Sequence, residues 1–445
     1  MDKHLILLVL IATSAVCIPL VNHQSVRAWL ENKNRYLIPA FYILSRVCLF
    51  VGLYFVLRVD MGAGSMLGTS DLVKYYKPQG EDVLMGKVPG VDFTTAYSPL
   101  FPYLMALVYA PFPIEFYAAP VLLFILADLV CLLLVRSFAG DILGKDKANA
   151  AAWTFMLCPL TWVVSVHYGQ DEVLSGLAVI LTIYLVHKSK PTLAGLLLGL
   201  GVMLTKLTTL IAAVVYVLRG KFRMREAVAV LTPILLVAIV FGLVLNADLM
   251  GFAGGETRQV GGNSIPGLVC QAMGMNIYEP FPKAVKWTMR MLAPRMPDLA
   301  EPELEEKAEN VVTLALTAWT ALAVFAGLAV ARKRKLPVYE TFAVVFLFFF
   351  VLSFKSICLY RAWIVCPLLV IAIKRRWYWL FGAWATVSSA VLTSYGVGAS
   401  LHLHLAWNGA NVVFELIWLI LILTAAPIET PEKLRLAKNA AGASQ

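Results

Sequence analysis

Residues 60–100 form a polar loop between two apolar stretches, and its residue types suit chemistry at a lipid–water boundary. It carries five carboxylates (Asp60, Asp71, Glu81, Asp82 and Asp92) and four aromatic rings (Tyr75, Tyr76, Phe93 and Tyr97). Turn formers punctuate it at Pro78, Gly80, Gly86, Pro89, Gly90 and Pro99. A plain connector needs none of these. A carboxylate held near a membrane surface can take a proton from an attacking hydroxyl, and Asp71, in Ser70-Asp71-x-x-x-Tyr75, is the sharpest candidate. The competing reading is that Ser70 or Asp71 caps a surface helix over 72–77.

Three further groups could act with it. Asp171-Glu172 follows His167-Tyr168-Gly169-Gln170 at the outer end of an apolar span, on the face of Asp71; otherwise it is a solvated turn. Lys206 interrupts the apolar run 193–218, where a buried lysine is costly and so a functional candidate. Lys355, Tyr360 and Arg361 lie in a short outer turn, FKSICLYR, where cations and a phenol hold either a substrate phosphate or lipid headgroups. Arg258 is a weaker case of the same kind. His402 and His404 alternate without a nearby carboxylate or cysteine and make a poor metal site. The seven cysteines show no metal or redox spacing and read as membrane-buried thiols, with a Cys270–Cys358 bridge left open. Arg46, Asp128 and Glu415 read as intramembrane structural contacts. No P-loop, GxSxG or HExxH is present.

The elements that position these groups are apolar helices. The chain is 60% hydrophobic and 14% charged over 445 residues, with apolar runs along its whole length. This is an all-α polytopic membrane protein. Spans are expected near 3–21, 37–57, 117–135, 150–167, 173–186, 226–246, 311–331, 338–354, 361–373, 377–396 and 410–426, about eleven crossings. The first reads as a retained span, since no small-residue cleavage site follows it. RGKFRMR at 219–225, RKRK at 332–335 and KRR at 374–376 mark the cytoplasmic side. The net charge of +10 therefore reflects topology and not nucleic acid. Basic segments flank 193–218 on both sides, so a hairpin with its apex near Thr205-Lys206 is expected instead of one crossing. Residues 99–112 read as a half-inserted helix or a short span. Residues 283–292 read as an interfacial helix with Trp287, Met291 and Leu292 against lipid.

Asp71-x-x-x-Tyr75, Gly86-x-x-Pro89, Asp92-Phe93 and Tyr97-Ser98-Pro99-Leu100 together resemble the first outer loop of GT-C superfamily glycosyltransferases. The likeness is greatest to the polyprenyl-phosphate-mannose-dependent mannosyltransferases, including those acting on GPI anchors and their bacterial relatives. His167-x-Gly169-Gln170-Asp171, Ala194-Gly195, Gly199, Thr205-Lys206 and the run Tyr360 to Pro367 follow in the family's order, over about residues 37–375. The chain departs from the GPI-type pattern in having Ser70, not an acid, before Asp71, and in an additional first span.

The resemblance implies a GT-C-like bundle with short re-entrant or broken helices. It also implies inverting transfer of a hexose, mannose by likeness, from a polyprenyl- or dolichyl-phosphate donor at the non-cytoplasmic face. The acceptor would be a glycolipid, glycan or protein. Asp71 would be the general base. Asp171, Glu172, Gln170, His167, Tyr75, Asp92 and Tyr97 would bind substrate. Lys206, Arg258, Lys355 and Arg361, with Tyr360 alongside, would hold the donor phosphate. No cofactor is expected, and a divalent metal is compatible without being required. The expected organisation is an additional span and cytoplasmic loop at 1–36, a catalytic module at 37–375 with outer loops 59–116 and 248–310, terminal helices at 376–426 and a cytoplasmic tail at 427–445. The membrane would be a bacterial or archaeal plasma membrane or the endoplasmic reticulum. Short helices and buried charges also suit a lipid-linked saccharide flippase or a small-solute transporter, although no paired repeat halves are found.

Overall fold

The computed structural model describes residues 3–26, 37–56, 71–112, 116, 118–249, 252, 263–275, 280–297, 299–395 and 401–425. Among them there is no strand, only an isolated bridge between Pro89 and Phe93. Helices run in the order α1 (Lys3–Val21), α2 (Leu37–Val51), α3 (Lys77–Leu84), α4 (Phe101–Tyr109), α5 (Ala119–Leu143), α6 (Lys145–Leu157), α7 (Pro159–Trp162), α8 (Glu172–His187) and α9 (Pro191–Leu204). They continue with α10 (Leu210–Leu218), α11 (Met224–Ile239), α12 (Ile265–Ala272), α13 (Pro280–Leu292), α14 (Glu301–Lys333), α15 (Val338–Leu352), α16 (Val365–Arg375), α17 (Tyr378–Tyr395) and α18 (Leu401–Thr424).

A helix stands at each of the eleven expected positions, but their lengths differ. Five are long and apolar enough to cross a bilayer: 37–56, 119–143, 224–244, 301–333 and 405–424. The expected span at 150–167 is a bent pair, with α6 and α7 meeting at 51°. α8, α9 and α15 are shorter apolar helices. α4, at nine residues, rises only about 14 Å, less than half the ~30 Å hydrocarbon core. In α13, Trp287 and Met291 are exposed as expected, whereas Leu292 packs with Phe281 and Val285 against Ala308 and Val312 of α14.

The break between α6 and α7 follows from Pro159, which has no N–H to continue the ladder. Its freed carbonyls find other donors. Thr161 Oγ1 donates to Cys158 O at 2.8 Å, and Arg46 Nη2 donates to Met156 O at 3.0 Å and Thr161 Oγ1 at 2.9 Å. Arg46 lies 3.6 Å from Asp128, which accepts from Tyr42 at 2.5 Å. The intramembrane charges thus pin α2 and α5 to the kink.

The expected hairpin is present. α9 ends at Leu204, and after Thr205-Lys206 the chain turns back through α10. Its two arms close at the base, where the Tyr216 hydroxyl donates to Pro191 O. Arg332 donates to Leu218 O and Gly220 O, so two of the basic segments meet at that end. Gly195 and Gly199 let α9 lie directly on α11: a Cβ on Gly199 would collide with Val230 O. The fourteen residues of α9 carry the apex about 21 Å above this basic base.

Arg46→Met should destabilise the protein by about 3–5 kcal/mol, since it strands a buried carboxylate. Thermal unfolding in detergent measures this. Arg46→Met/Asp128→Leu should recover most of the loss, and equal melting of the single and double variants would contradict a paired role.

Candidate active site

The apex of the hairpin meets two other chain segments. The loop before α4 docks on it through Ser98, whose N–H donates to Thr205 O at 3.0 Å and whose hydroxyl donates to Val202 O at 2.7 Å. Tyr97, the preceding residue, lays its ring 5.3 Å from Lys206 Nζ and stacks on Phe101 at 4.4 Å. From the other side comes the turn between α7 and α8. Gly169 takes a left-handed conformation there (φ 58°), with Leu72 and Val121 so close that a Cβ would meet them at 3.0 and 2.9 Å. This reversal delivers Gln170, Asp171 and Glu172 to the start of α8, where the helix dipole favours negative charge.

Lys206 then stands between two carboxylates, 3.0 Å from Asp171 Oδ1 and 2.7 Å from Glu172 Oε1. The Tyr76 hydroxyl donates to Asp171 Oδ1 at 2.8 Å. Asp171 and Glu172 are fully buried. Their remaining oxygens, Asp171 Oδ2 and Glu172 Oε2, have no hydrogen-bond partner among the described residues. Buried acceptors of this kind are costly unless something donates to them. Under the apex a chain of hydroxyls, Thr205 to Thr209 at 3.0 Å and Thr209 to Ser175 at 2.8 Å, ties the hairpin to α8.

Asp71 reaches the same cluster. It precedes a wide helical turn, Leu72–Tyr76, but its side chain makes no capping hydrogen bond. Asp71 is therefore not acting as a cap, and Ser70, the other capping candidate, lies outside the described residues. Gln170 donates to its carboxylate instead. Burial pushes the Asp71 pKa above the usual carboxylate value; Lys206 opposes the rise and Asp171 adds to it. Burial and the surrounding carboxylates likewise raise Tyr76 and Tyr97, so both phenols stay protonated donors.

The remaining expected site residues divide. Tyr75 is exposed, with its ring 6.3 Å from that of Tyr97. His167 packs edge-on against Tyr168 at 4.6 Å, in the turn leading to Gln170. Tyr360 lies within electrostatic reach of Lys206 and stacks on Trp363 at 4.7 Å. Lys355 donates to Thr317 at 3.3 Å, on the rim of an apolar cavity of about 330 Å³. That cavity begins at Leu207 and Thr208, directly after the apex, and runs between α10, α14 and α15. Arg361 is placed differently. It is fully buried, and its five N–H groups are all used: two on Glu415, two on Ser356 Oγ and Ile357 O, and one on Asn263 O. Asp92 accepts from Val88 N at 2.7 Å in a turn away from the cluster. Arg258, Asp60 and Ser70, and the side chains of His402 and His404, lie outside the described residues. No group of three or more His, Cys, Asp or Glu side chains that could hold a metal occurs among the described residues.

Tyr76 and Ser98 carry no signal in residue type alone. Their signal is position: Tyr76 follows Tyr75 in the loop motif, and Ser98 follows Tyr97.

The family model for glycosyltransferase family 87 matches residues 96–354, more than half of the chain. The matched segment contains Tyr97, Asp171, Glu172 and Lys206, and Asp71 lies upstream of it. No curated protein and no solved structure matches significantly.

Lys206→Met should destabilise the protein by about 3–5 kcal/mol, because two buried carboxylates lose their counter-charge. Lys206→Met/Glu172→Gln should regain part of this in the same melting assay. A single variant that melts like wild type would mean that Lys206 does not hold the cluster together.

Proposed function

The chain belongs to glycosyltransferase family 87, and from that premise we propose that it transfers a hexose from a polyprenyl-phosphate donor to an acceptor hydroxyl at the non-cytoplasmic face. Mannose is the sugar to which the resemblance of the loop motifs points. One observation carries the reading. The polar cluster of Asp71, Asp171, Glu172 and Lys206 and an apolar cavity of about 330 Å³ share one hairpin, whose apex separates them. A substrate with a sugar at one end and a hydrocarbon chain at the other fits that arrangement. The family assignment displaces the transporter alternative.

In this reading Asp71 takes the proton from the acceptor hydroxyl. The oxygen forms a bond to the anomeric carbon from the side opposite the donor phosphate. The carbon–oxygen bond to phosphate breaks, and its electron pair leaves with the lipid phosphate. Attack from the opposite side inverts the anomeric centre. Asp171 Oδ2 and Glu172 Oε2 accept hydrogen bonds from sugar hydroxyls, and Lys355 and Tyr360 face the phosphate. Arg361, with every donor already engaged, holds the outer turn in place and does not bind the donor. The phosphate is already a competent leaving group, so no cofactor is consumed.

The non-cytoplasmic placement rests on charge. The basic segments gather at the base of the hairpin, which is the cytoplasmic end by the positive-inside rule. The cluster lies at the opposite end.

Asp71→Asn should lower transfer from radiolabelled polyprenyl-phosphate-mannose by about 10²–10⁴-fold. It should not lower the melting temperature, since burial already disfavours the ionised form. Undiminished transfer by this variant would sink the assignment. The pH profile gives a second check. A base works ionised, so transfer persists above the raised Asp71 pKa and falls as pH drops through it. Gln170→Ala removes a hydrogen bond to the ionised form and should move this acid limb to higher pH. Asp171→Asn removes a like charge and should move it lower. A limb that moves with neither change would assign the titration to another group.

A further inference from the structure

Tyr76 ends the wide turn before α3, fully buried, and its hydroxyl makes two bonds to a single residue. It accepts from Asp171 N at 3.3 Å and donates to Asp171 Oδ1 at 2.8 Å. A phenol has one proton to give. With Asp171 N–H on its acceptor side, that proton is directed at the carboxylate. Lys206 Nζ approaches the same oxygen at 3.0 Å. Both donors therefore engage Oδ1, and Oδ2 has no partner among the described residues. We propose that Tyr76 is a positioning residue for sugar transfer: it fixes Asp171 so that Oδ2 faces the substrate sugar, at a set spacing from Asp71. The sugar assignment rests on the glycosyltransferase reading above.

The backbone explains how one residue serves both acids. In an α-helix, residues five apart lie about 140° apart round the axis, on opposite sides. The turn Leu72–Tyr76 is wider, closed by Lys77 N donating to Leu72 O, an i to i+5 bond. It brings Asp71 and Tyr76 round to a common side, where Asp71 is within electrostatic reach of Tyr76 and Asp171 of both. The same turn is locked against the acid turn, with Leu72 Cδ1 only 3.0 Å from where a Cβ on Gly169 would stand.

The ring has no room to swing away. Tyr97, Phe101 and Phe124 meet it edge-on, with centroids at 5.4, 5.0 and 6.1 Å. They come from the loop before α4, from α4 and from α5. Core packing alone accounts for the ring but not for the hydroxyl, since phenylalanine would fill the same space. Without the hydroxyl, Asp171 Oδ1 keeps only Lys206, which Glu172 shares at 2.7 Å. The carboxylate is then free to turn about its last bond and offer either oxygen.

Tyr76→Phe deletes the hydroxyl and keeps the ring. The test titrates the full chain in lipid nanodiscs with polyprenyl-phosphate-mannose, polyprenyl-phosphate-glucose and bare polyprenyl phosphate. The wild type should bind at least one sugar-bearing lipid more tightly than the bare one. The variant should bind that lipid about tenfold more weakly, as for a lost hydrogen bond to a charged group, and the bare phosphate within about twofold of wild type. In transfer assays the donor KM should rise by the same factor while the acceptor KM holds. In an Asp171→Ala background, Tyr76→Phe should change donor binding by less than about twofold, since its action runs through Asp171. Equal weakening for sugar-bearing and bare lipids, or no weakening, would overturn the positioning role. So would a full effect in the Asp171→Ala background, or a wild type that binds all three lipids alike. A chain that shows the binding pattern yet transfers no sugar would uphold the positioning role and refute the catalytic reading. The lipid comparison needs only the single variant, so it decides the matter even if Asp171→Ala does not fold.

Discussion

A lysine near the end of a helical hairpin within the membrane is stable only if its charge is answered on the spot, and here Asp171 and Glu172 answer it from within 3.0 Å. Removing charges from water is expensive, and only close, well-directed partners repay the expense. Other parts of the fold meet that demand from different directions. Glycines on α9 set how closely the hairpin lies on α11. Pro159 breaks the neighbouring span, Arg46 stabilises the break, and left-handed Gly169 turns the two acids inward. Tyr97 and Ser98 close the assembly from above. Each device is local, yet all of them set the position of one ammonium group.

How much of this is legible in the sequence depends on the range of the interaction. The hairpin is readable because two basic flanks cannot both be cytoplasmic around a single crossing, and that argument needs only the order of residues. Asp71 and Asp171-Glu172 are readable as candidates because carboxylates at an apolar boundary are conspicuous. Their meeting with Lys206 is not, since it depends on the 51° bend between α6 and α7 and on one left-handed glycine. Whether Asp71 caps a helix or faces the cluster is likewise undecidable from residue type. The wide turn at Leu72–Tyr76 leaves its side chain free of capping, and that geometry leaves no mark in the spacing. Tyr76 is hidden behind its neighbour Tyr75 for the same reason: the turn buries one and exposes the other.

Arg361 illustrates the opposite failure. A basic residue in an outer turn reads naturally as a phosphate ligand. Its partners Glu415 and Asn263 come from distant parts of the chain, so no local pattern announces that every donor is taken. The result is a buried polar knot that ties α18 and Asn263, just before α12, to the turn carrying Tyr360. A guanidinium with five satisfied bonds would have to surrender several of them to reach a phosphate, and each buried acceptor left behind would carry a desolvation penalty of about 1–3 kcal/mol.

The charge balance at the apex argues further about where a lipid phosphate would sit. Three carboxylates, Asp71, Asp171 and Glu172, surround one lysine. A phosphate brought against Lys206 would meet more negative charge than positive. Beyond the apex the balance changes: the apolar cavity starts at Leu207, Thr208 Oγ1 is buried there without a hydrogen-bond partner among the described residues, and Lys355 stands on the rim. Hydroxyl donors suit the unpartnered carboxylate oxygens on one side of the apex; an anion suits the lysine and threonine on the other. A sugar phosphate lying across the apex would satisfy both sides at once and place its anomeric carbon between them, within reach of Asp71, the proposed base. Lys206 in this arrangement is not the phosphate ligand but the charge that keeps two carboxylates buried and ready for sugar hydroxyls.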